Sequence, residues 1–335
     1  MTNKKDFTFL STDGATQLHG IVWEPTETAP VAVLQIAHGV AEYIDRYDDF
    51  ARFLNSHGVV VAGHDHLGHG KSIAANGTPV YFGDGNTWET VTDDIYALHG
   101  MLKEQYPNLP QVLMGHSMGS FLARSYLIRY PSTVKAAILM GRGWQGSLTL
   151  AGGLLLCNLL ISKGADKTSP LITNLAFGGY NKKFKNPRTP SDWLSVDEEN
   201  VDAYIAHPLC GGNPSIGLFR EMLGGIGFIT RQENVKKMDL NTPILFISGG
   251  MDPVGDCGKG VKKAYESFLA AGVKDVELKL YPELRHGMDE MAEALLQYKT
   301  IHLEDIAGKG KNMDTAAVPV ETMAEYAAED ADVTL

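Results

Sequence analysis

The sequence of 335 residues has few cysteines and no long apolar segment, and each scarcity excludes a class of protein. Its three cysteines, Cys157, Cys210 and Cys257, are too few and too widely spaced for a disulfide framework or a zinc ribbon. Reduced cysteines instead predict a cytoplasmic protein. The longest apolar run, residues 148–161, is shorter than the roughly 20 residues that cross a bilayer. The N-terminal residues contain no signal-peptide pattern.

Positive charge is also scarce, because 40 Asp and Glu residues outnumber 29 Lys and Arg residues and leave a formal net charge of -11. This surplus disfavours nucleic acid and anionic membranes as the main partners. Several of the acids lie in the segment 312–335, which has no Lys or Arg. The hydrophobic fraction of 44% is ordinary for a globular protein. Composition therefore predicts a folded protein that does not bind nucleic acid.

The sequence does contain a regular alternation of short apolar runs and helical stretches. Phe7–Leu10 and Gln17–Trp23 flank the turn signal Asp13-Gly14 and predict an opening hairpin. Six further runs predict strands, several of them apolar on successive residues and so buried on both faces of a parallel sheet. They are Val31–Ile36, Val59–Ala62, Val112–Met114, Ala136–Met140, Ile244–Ile247 and Val276–Leu280.

Predicted helices separate these runs, which indicates an α/β fold with an eight-stranded, mostly parallel sheet and helices on both faces. They are Arg46–Asn55, Thr87–Glu104, Met118–Arg129, Lys259–Ala270 and Met288–Glu304. Between residues 143 and 233 the alternation stops, and apolar clusters stand between Gly, Pro and Asn. We therefore predict a core in two parts, 1–142 and 234–311, a helical cap inserted at 143–233, and an acidic tail at 312–335.

The strongest chemical signal is Gly115-His116-Ser117-Met118-Gly119, which matches G-x-S-x-G between a predicted strand and a predicted helix. In that context Ser117 sits on a strained turn that only small flanking residues allow, with its hydroxyl held at a helix N-terminus. The motif therefore predicts a nucleophilic serine in an α/β-hydrolase fold. A glycine-rich turn in a non-catalytic doubly wound protein is the alternative.

A serine nucleophile needs a base and an acid that orients the base, and in this fold they follow in the order Ser, acid, His. Asp252 follows the strand Ile244–Ile247 and belongs to an Asp-Pro turn. Asp256 is the alternative acid, further from the strand end. His286 follows the last predicted strand, and the other candidate, His302, lies within a helical stretch.

The neighbours Arg285 and Asp289 are expected to be solvated and not catalytic. The tetrahedral intermediate also needs donors for its oxyanion. We predict the backbone N–H groups of Met118, directly after the nucleophile, and of Val40, in the loop that follows Gly39. A turn without a chemical role is the alternative for that loop.

His64, His66 and His69 allow a different interpretation, because their spacing resembles the H-x-H-x-D-H zinc motif of metallo-hydrolases. Gly68 stands where that motif has its Asp, and no later cluster of His and Asp ligands follows. We therefore expect no metal. A glycine-rich turn after a strand is the simpler interpretation.

Four segments resemble the family of monoacylglycerol lipase and lysophospholipase-type serine hydrolases, over roughly residues 7 to 305. They are His38–Tyr43 with Arg46-Tyr47, Asp65–Ser72, Gly115–Gly119, and Ser248–Val254 with Arg285-His286. The resemblance implies the triad Ser117, Asp252 and His286, oxyanion donors at Val40 and Met118, a helical cap and no cofactor. It implies an ester of a fatty acyl chain as substrate.

Other functions on the same fold stay open at this point. A short-chain carboxylesterase would use the same triad. An amidase or aminopeptidase would need a carboxylate in the cap to hold a substrate amine, and Glu198, Glu199 and Glu221 are available. A non-catalytic ligand-binding protein would lack a triad member. We expect a lipid-like small molecule as partner and at most transient membrane contact through the cap, and the sequence does not indicate the oligomeric state.

Overall fold

The computed structural model describes residues 2–141 and 143–287, which contain one eight-stranded sheet in the order β1-β2-β4-β3-β5-β6-β7-β8. The strands are β1 (Thr2–Leu10), β2 (Gln17–Pro25), β3 (Ala32–Ala37), β4 (Val59–His64), β5 (Gln111–His116), β6 (Ala136–Met140), β7 (Ile244–Gly249) and β8 (Val276–Tyr281). Strand β2 is antiparallel to β1 and β4, and the other neighbours are parallel. The predicted eight-stranded, mostly parallel sheet is confirmed.

The described residues also form nine α-helices. They are α1 (Asp48–Ser56), α2 (Thr87–Gln105), α3 (Met118–Arg129), α4 (Ser147–Leu160), α5 (Pro170–Phe177), α6 (Glu198–Ala206), α7 (Ile216–Thr230), α8 (Gln232–Val235) and α9 (Lys259–Ala271). The predicted helix Arg46–Asn55 begins as a 3-10 turn, Ile44–Tyr47, and continues as α1. The predicted helix Met288–Glu304 and the acidic tail lie outside the described residues.

The parallel strands are apolar on successive residues because helices cover both faces of the sheet. In β5, Leu113 packs in the cluster that includes residues of α2, α3 and α9, whereas Met114 packs in the cluster that includes α1. Phe246 and Ile247 of β7 divide in the same way. Burying such side chains stabilises the fold by about 1.5–3 kcal/mol each.

Five helices, α4 to α8, lie between β6 and β7, where the sequence predicts a helical insertion. Helix α4 carries the longest apolar run and is two-sided, because Leu150 and Cys157 are buried whereas Leu148, Leu155 and Leu159 are exposed. Within residues 2–141 and 143–287, no helix combines the length and the hydrophobicity that crossing a bilayer requires.

The buried guanidinium of Arg124 links the last long helix of this insertion to α3. Its Nη2 donates to the carbonyl oxygen of Ile229 at 2.8 Å, and the group lies 5.4 Å from the ring centroid of Phe268. A cation at the C-terminal carbonyls of α7 interacts favourably with the helix dipole. Burial lowers the pKa of Arg124 to about 9, which still leaves the group charged at neutral pH.

Four buried histidines form a cluster behind the carboxyl ends of β3 and β4. The ring centroids of His38 and His66 are 4.1 Å apart, and those of His64 and His66 are 5.1 Å apart. Burial lowers the pKa of His64 to about 3 and of His69 to about 4, and it lowers the pKa of His66 well below its ordinary value. These three rings are therefore neutral in the folded protein at pH 7.

We expect this cluster to make the fold less stable in mild acid. Below pH 6.5 the unfolded chain protonates these histidines and the folded chain does not, so their contribution is present above pH 6.5 and is lost as pH falls. The loss is roughly 1 kcal/mol per histidine between pH 6.5 and 5.5. His64→Phe, which keeps an aromatic ring against Phe9, should remove about one such increment from the pH dependence of the unfolding free energy.

Urea unfolding at pH 7.5, 6.5 and 5.5 measures this effect. The exposed His57 provides the matched control, since His57→Gln should leave the difference between the pH values unchanged. The pKa values of His19 and His116 are raised, so these two residues change the unfolding free energy with pH in the opposite direction. The pH dependence of each variant is therefore compared with that of the wild type. An unchanged pH dependence in His64→Phe would contradict the prediction.

Candidate active site

Ser117 occupies a sharp turn between β5 and α3. Its backbone has φ 52° and ψ -120°, a conformation that costs a non-glycine residue of order 1–3 kcal/mol and persists only when its surroundings enforce it. The Ser117 N–H donates to the carbonyl oxygen of Met140 at 3.0 Å. A Cβ on Gly115 would collide with the backbone of Gly119, and a Cβ on Gly119 would collide with that of Ala37. Both motif glycines are therefore required by the close packing.

The two predicted oxyanion donors lie in the same cavity as Ser117. Met118 is the first residue of α3, so its N–H points out of the N-terminal end of the helix and has no acceptor within the helix. The N–H of Val40 likewise donates no hydrogen bond to any residue the structure describes. Both amides are therefore available to an oxyanion.

The loop that carries Val40 is held from three sides. His38 Nδ1 donates to the carbonyl oxygen of Gly39 at 2.7 Å, which fixes the peptide whose N–H belongs to Val40. The N–H of Gly39 donates to the Glu42 carboxylate. Ala41 has a positive φ of 55°, and its carbonyl oxygen accepts from Gly211 N at 3.0 Å and from Tyr204 Oη at 3.2 Å. These last two donors lie between β6 and β7, so the helical insertion supports the loop.

Asp252 and His286 meet at the same edge of the sheet. His286 Nδ1 lies 3.0 Å from Asp252 Oδ2, and both side chains are almost completely buried. The other carboxylate oxygen accepts from the N–H of Val254 at 2.8 Å, which orients the acid. His286 Nε2 has no hydrogen-bond partner in the described part of the chain, and His286 lines the cavity with Ser117.

The alternative acid, Asp256, is at the surface. Its side chain is 65% exposed and pairs with Lys183 Nζ at 3.0 Å. The alternative base, His302, lies outside the described residues, as does Asp289. The histidines at 64, 66 and 69 are buried among themselves, and no group of three His, Cys, Asp or Glu side chains in residues 2–141 and 143–287 is arranged to hold a metal ion.

The expectation that Arg285 is merely solvated is wrong. Its Nη1 donates to the carbonyl oxygens of Asp192 and Ser195, and its guanidinium lies 4.3 Å from the ring centroid of Phe184. The backbone N–H of Gly287 donates to the carbonyl oxygen of Leu194. The segment around residues 192–195 is therefore anchored to the His286 loop.

Sequence reasoning missed a buried polar network that surrounds Glu42. Its Oε1 accepts from Tyr47 Oη at 3.0 Å and lies 3.1 Å from His116 Nδ1, and its Oε2 accepts from Arg46 Nη1 at 2.6 Å. His116 Nε2 donates to the carbonyl oxygen of His286 at 3.0 Å. The available signal was the Glu three positions after Gly39, followed by Arg46-Tyr47, which carried the family resemblance without an assigned role.

A cavity of about 290 Å³ opens beside Ser117 and is lined by both apolar and polar residues. The apolar lining residues include Val40, Phe121, Phe177, Trp193, Leu194, Met222 and Val254. The polar lining residues include Glu42, Arg46, Asn200, Tyr204 and Asn213. The volume is near the lower end of the usual 300–1,000 Å³ of ligand pockets. Trp193 also covers the base, with its ring centroid 5.2 Å from that of His286.

A profile of the hydrolase family described as "Serine aminopeptidase, S33" matches residues 28–290. That range includes Ser117, Asp252, His286 and the two predicted oxyanion donors, together with strands β3 to β8. A second profile, described as "3'-5' exonuclease", matches residues 260–335. This shorter match overlaps β8 and His286 of the same sheet and covers too little of the chain to assign a family.

Curated relatives carry lipase names. The monoacylglycerol lipase of Mycolicibacterium smegmatis is 28% identical over 270 residues, which is 79% of this chain and 84% of the relative. The human monoglyceride lipase is 28% identical over 267 residues, 79% of this chain and 78% of the relative. A thermostable carboxyl esterase from Bacillus coagulans, solved with glycerol, has a TM-score of 0.80 at 28% identity and covers 88% of this chain and 97% of its own.

Proposed function

The chain belongs to the hydrolase family described as serine aminopeptidase S33 and is an ester hydrolase of the lipase type, and on that premise we propose that it cleaves monoacylglycerols through an acyl-enzyme on Ser117. The observation that carries the proposal is the unpartnered Nε2 of His286, which shares a cavity with Ser117 while Asp252 holds Nδ1. This is the arrangement that serine acyl transfer requires.

In the proposed mechanism His286 Nε2 takes the Ser117 proton while the serine oxygen attacks the ester carbonyl. The N–H groups of Val40 and Met118 stabilise the oxyanion, and the alcohol leaves with the proton from His286. Water, activated by the same imidazole, then releases the fatty acid. Asp252 fixes the tautomer and stabilises the imidazolium, and its buried contact with Val254 N keeps it in place.

The mixed apolar and polar lining of the cavity supports a monoacylglycerol as substrate. Phe121, Phe177 and Met222 offer apolar surface to one acyl chain, whereas Asn200 and Asn213 offer groups that exchange hydrogen bonds with glycerol hydroxyls. The charged residues Glu42 and Arg46 pair with each other. A charged phosphate head group would find no free cation among them, so we rank a lysophospholipid below a monoacylglycerol.

The aminopeptidase alternative has little support in the cavity. Glu198 and Glu199 are exposed, and Glu221 pairs with Arg220 and accepts from the N–H of Trp88. None of these three carboxylates lines the cavity beside Ser117. Glu42 does line the cavity, but it is already paired with Arg46 and His116, so a substrate amine would lack an available counter-charge among these carboxylates.

We also propose transient contact with lipid aggregates through the exposed side of α4 and α5. Leu148, Leu155 and Leu159 are 88%, 62% and 67% exposed and lie on one helical face, and Leu171 and Leu175 are exposed on α5. The segment 147–188 holds six Lys or Arg and a single acid, in a chain of net charge -11. An apolar face with cationic neighbours fits an anionic lipid surface.

Free cysteines are consistent with a cytoplasmic enzyme.

We expect Asp252→Asn to lose hydrolysis of p-nitrophenyl butyrate by roughly 10⁴-fold in kcat, since the amide would favour the wrong histidine tautomer. Asp256→Asn is the matched control and should retain wild-type activity, because Asp256 pairs with Lys183 at the surface. Labelling by a fluorophosphonate probe provides the second measurement, and Ser117→Ala should abolish it. Labelling of Ser117→Ala, or full activity of Asp252→Asn, would contradict the assignment.

For the substrate, we expect kcat/KM to rise at least tenfold from p-nitrophenyl acetate to the decanoate, because each buried methylene contributes up to about 0.8 kcal/mol. Monoolein should be cleaved faster than lysophosphatidylcholine. Asn213→Ala should lower kcat/KM for monoolein roughly tenfold and leave methyl oleate unchanged, since only the former has glycerol hydroxyls. Activity confined to acetate would remove the lipid proposal.

For the lipid surface, we expect the double variant Leu155→Ser, Leu159→Ser to bind phosphatidylglycerol-containing vesicles at least tenfold more weakly in a flotation assay, because burying each leucine contributes about 1.5 kcal/mol or more. Its hydrolysis of soluble p-nitrophenyl butyrate should be unchanged. Leu269→Ser, at an exposed leucine of α9, is the matched control. Equal vesicle binding by all three proteins would exclude this face as the contact.

A further inference from the structure

Two buried groups beside the site, His116 and Glu42, take no part in the proposed proton transfers. The ring centroids of His116 and His286 are 5.1 Å apart. His116 Nδ1 faces Glu42 Oε1 at 3.1 Å, and His116 Nε2 faces the backbone carbonyl oxygen of His286 at 3.0 Å. Both nitrogens of the His116 ring therefore face oxygen acceptors.

A neutral imidazole carries one N–H and cannot donate from both nitrogens. If the proton stays on Nε2 for the His286 carbonyl, the lone pair of Nδ1 points at a carboxylate oxygen. The Tyr47 hydroxyl lies 3.2 Å from Nδ1, but its single proton has Glu42 Oε1 as an acceptor at 3.0 Å. Since Arg46 keeps Glu42 ionised, only a doubly protonated His116 gives every one of these contacts a donor and an acceptor.

We propose that His116 is a resident imidazolium whose ion pair with Glu42 positions the Val40 amide and the His286 ring relative to each other. At one end of the pair, Glu42 accepts from the N–H of Gly39, directly before Val40. At the other end, His116 donates to the backbone of His286 itself. The pair thus joins the loop after β3 to the loop after β8. Its kinetic consequences rest on the proposed function, whereas its protonation does not.

The charges around His116 favour this state. Burial opposes a charge on the ring, but the hydrogen bond and the negative charge of Glu42 raise the pKa of His116 above its ordinary value. Burial also opposes ionisation of Glu42, and His116 and Arg46 together bring the pKa of that carboxyl far below its usual range. In the described part of the chain, the titratable or charged groups around the ring and its carboxylate are Arg46, Tyr47, His38, His69, Tyr204, Cys210 and His286.

His116 and Glu42 are positioning residues in this account, because neither exchanges a proton with the substrate. An ion pair with two anchored ends resists displacement more strongly than a neutral hydrogen bond, since charge-assisted bonds are roughly twice as strong. Loss of the charge should therefore misplace both the oxyanion amide and the base. Such misplacement lowers the rate of the chemical step and leaves ground-state binding of the acyl chain largely intact.

The charge on His116 can be measured without substrate, in the full-length chain labelled with ¹⁵N-histidine. At pH 7.5, about one unit above the ordinary histidine pKa, two rings whose nitrogens both face oxygen acceptors in the described part of the chain should be protonated on both nitrogens. One is His116. The other is His19, whose nitrogens face Asp65 and Asp6. Asp6→Asn should perturb only the His19 signals, and Glu42→Gln should convert the remaining imidazolium to a neutral ring.

Kinetics provides the second arm. Glu42→Gln should lower kcat for p-nitrophenyl butyrate roughly 10²-fold, with KM changed less than about threefold, and Glu42→Asp should recover most of the rate because it keeps the charge. Asp45→Asn is the matched control, since Asp45 pairs with Lys4 on the outside of the same turn. Thermal unfolding of each variant checks that the chain is folded.

A neutral His116 ring in the wild-type spectrum would overturn the proposal, whether or not the ester is a substrate. So would a wild-type kcat in a folded Glu42→Gln, or an equal loss in Glu42→Gln and Glu42→Asp. Failure of the proposed esterase activity is a separate outcome, because Ser117 would then not react with the fluorophosphonate probe. The ¹⁵N-histidine spectrum would still show whether His116 is charged.

Discussion

The parallel hydrogen-bonded ladder from β3 to β8 is the constraint on which the rest of the site depends. In a parallel sheet every carboxyl end reaches the same edge, and here the register sets Ala37 beside Gly115, His116 beside Met140 and Gly249 beside Tyr281. Four loops that are far apart in sequence therefore begin at the same edge of the sheet, on strands that lie about 4.8 Å from their immediate neighbours. The strained turn at Ser117 is tolerated because β5, the strand directly before it, is paired with β3 on one side and β6 on the other.

This constraint explains how much could be predicted from sequence. Strands β3 and β5 are apolar on both faces, as the successive residues Val33–Leu34 and Leu113–Met114 show. That pattern is typical of parallel strands covered by helices. Once the strands are recognised, the loops after them are the only places where Ser117, Asp252 and His286 can meet. The G-x-S-x-G spacing adds a steric argument, because neighbouring backbone occupies the space that a side chain would need at each glycine.

The rest depended on contacts that no local pattern encodes. Glu42 and His116 are 74 positions apart, and their pairing is visible only when β3 and β5 are adjacent. Arg285 was misread because a cation beside a loop is usually solvated, whereas here backbone carbonyls of an inserted segment surround it. Sequence reasoning predicted the sheet correctly, because regular apolar patterns encode it, and it failed where side chains from separate segments satisfy one another.

The uneven charge of the molecule has a consequence for how it would meet a lipid surface. The basic segment 147–188, which contributes to the lining of the cavity, lies in a chain with an overall negative charge and so gives the protein an electric dipole moment. Near an anionic interface the field exerts a torque as well as a net repulsion, so the molecule rotates before it arrives. Encounters would then be rarer than for a neutral protein, but a larger share would begin with the basic segment facing the lipid. Raising the ionic strength would weaken both the repulsion and the alignment together.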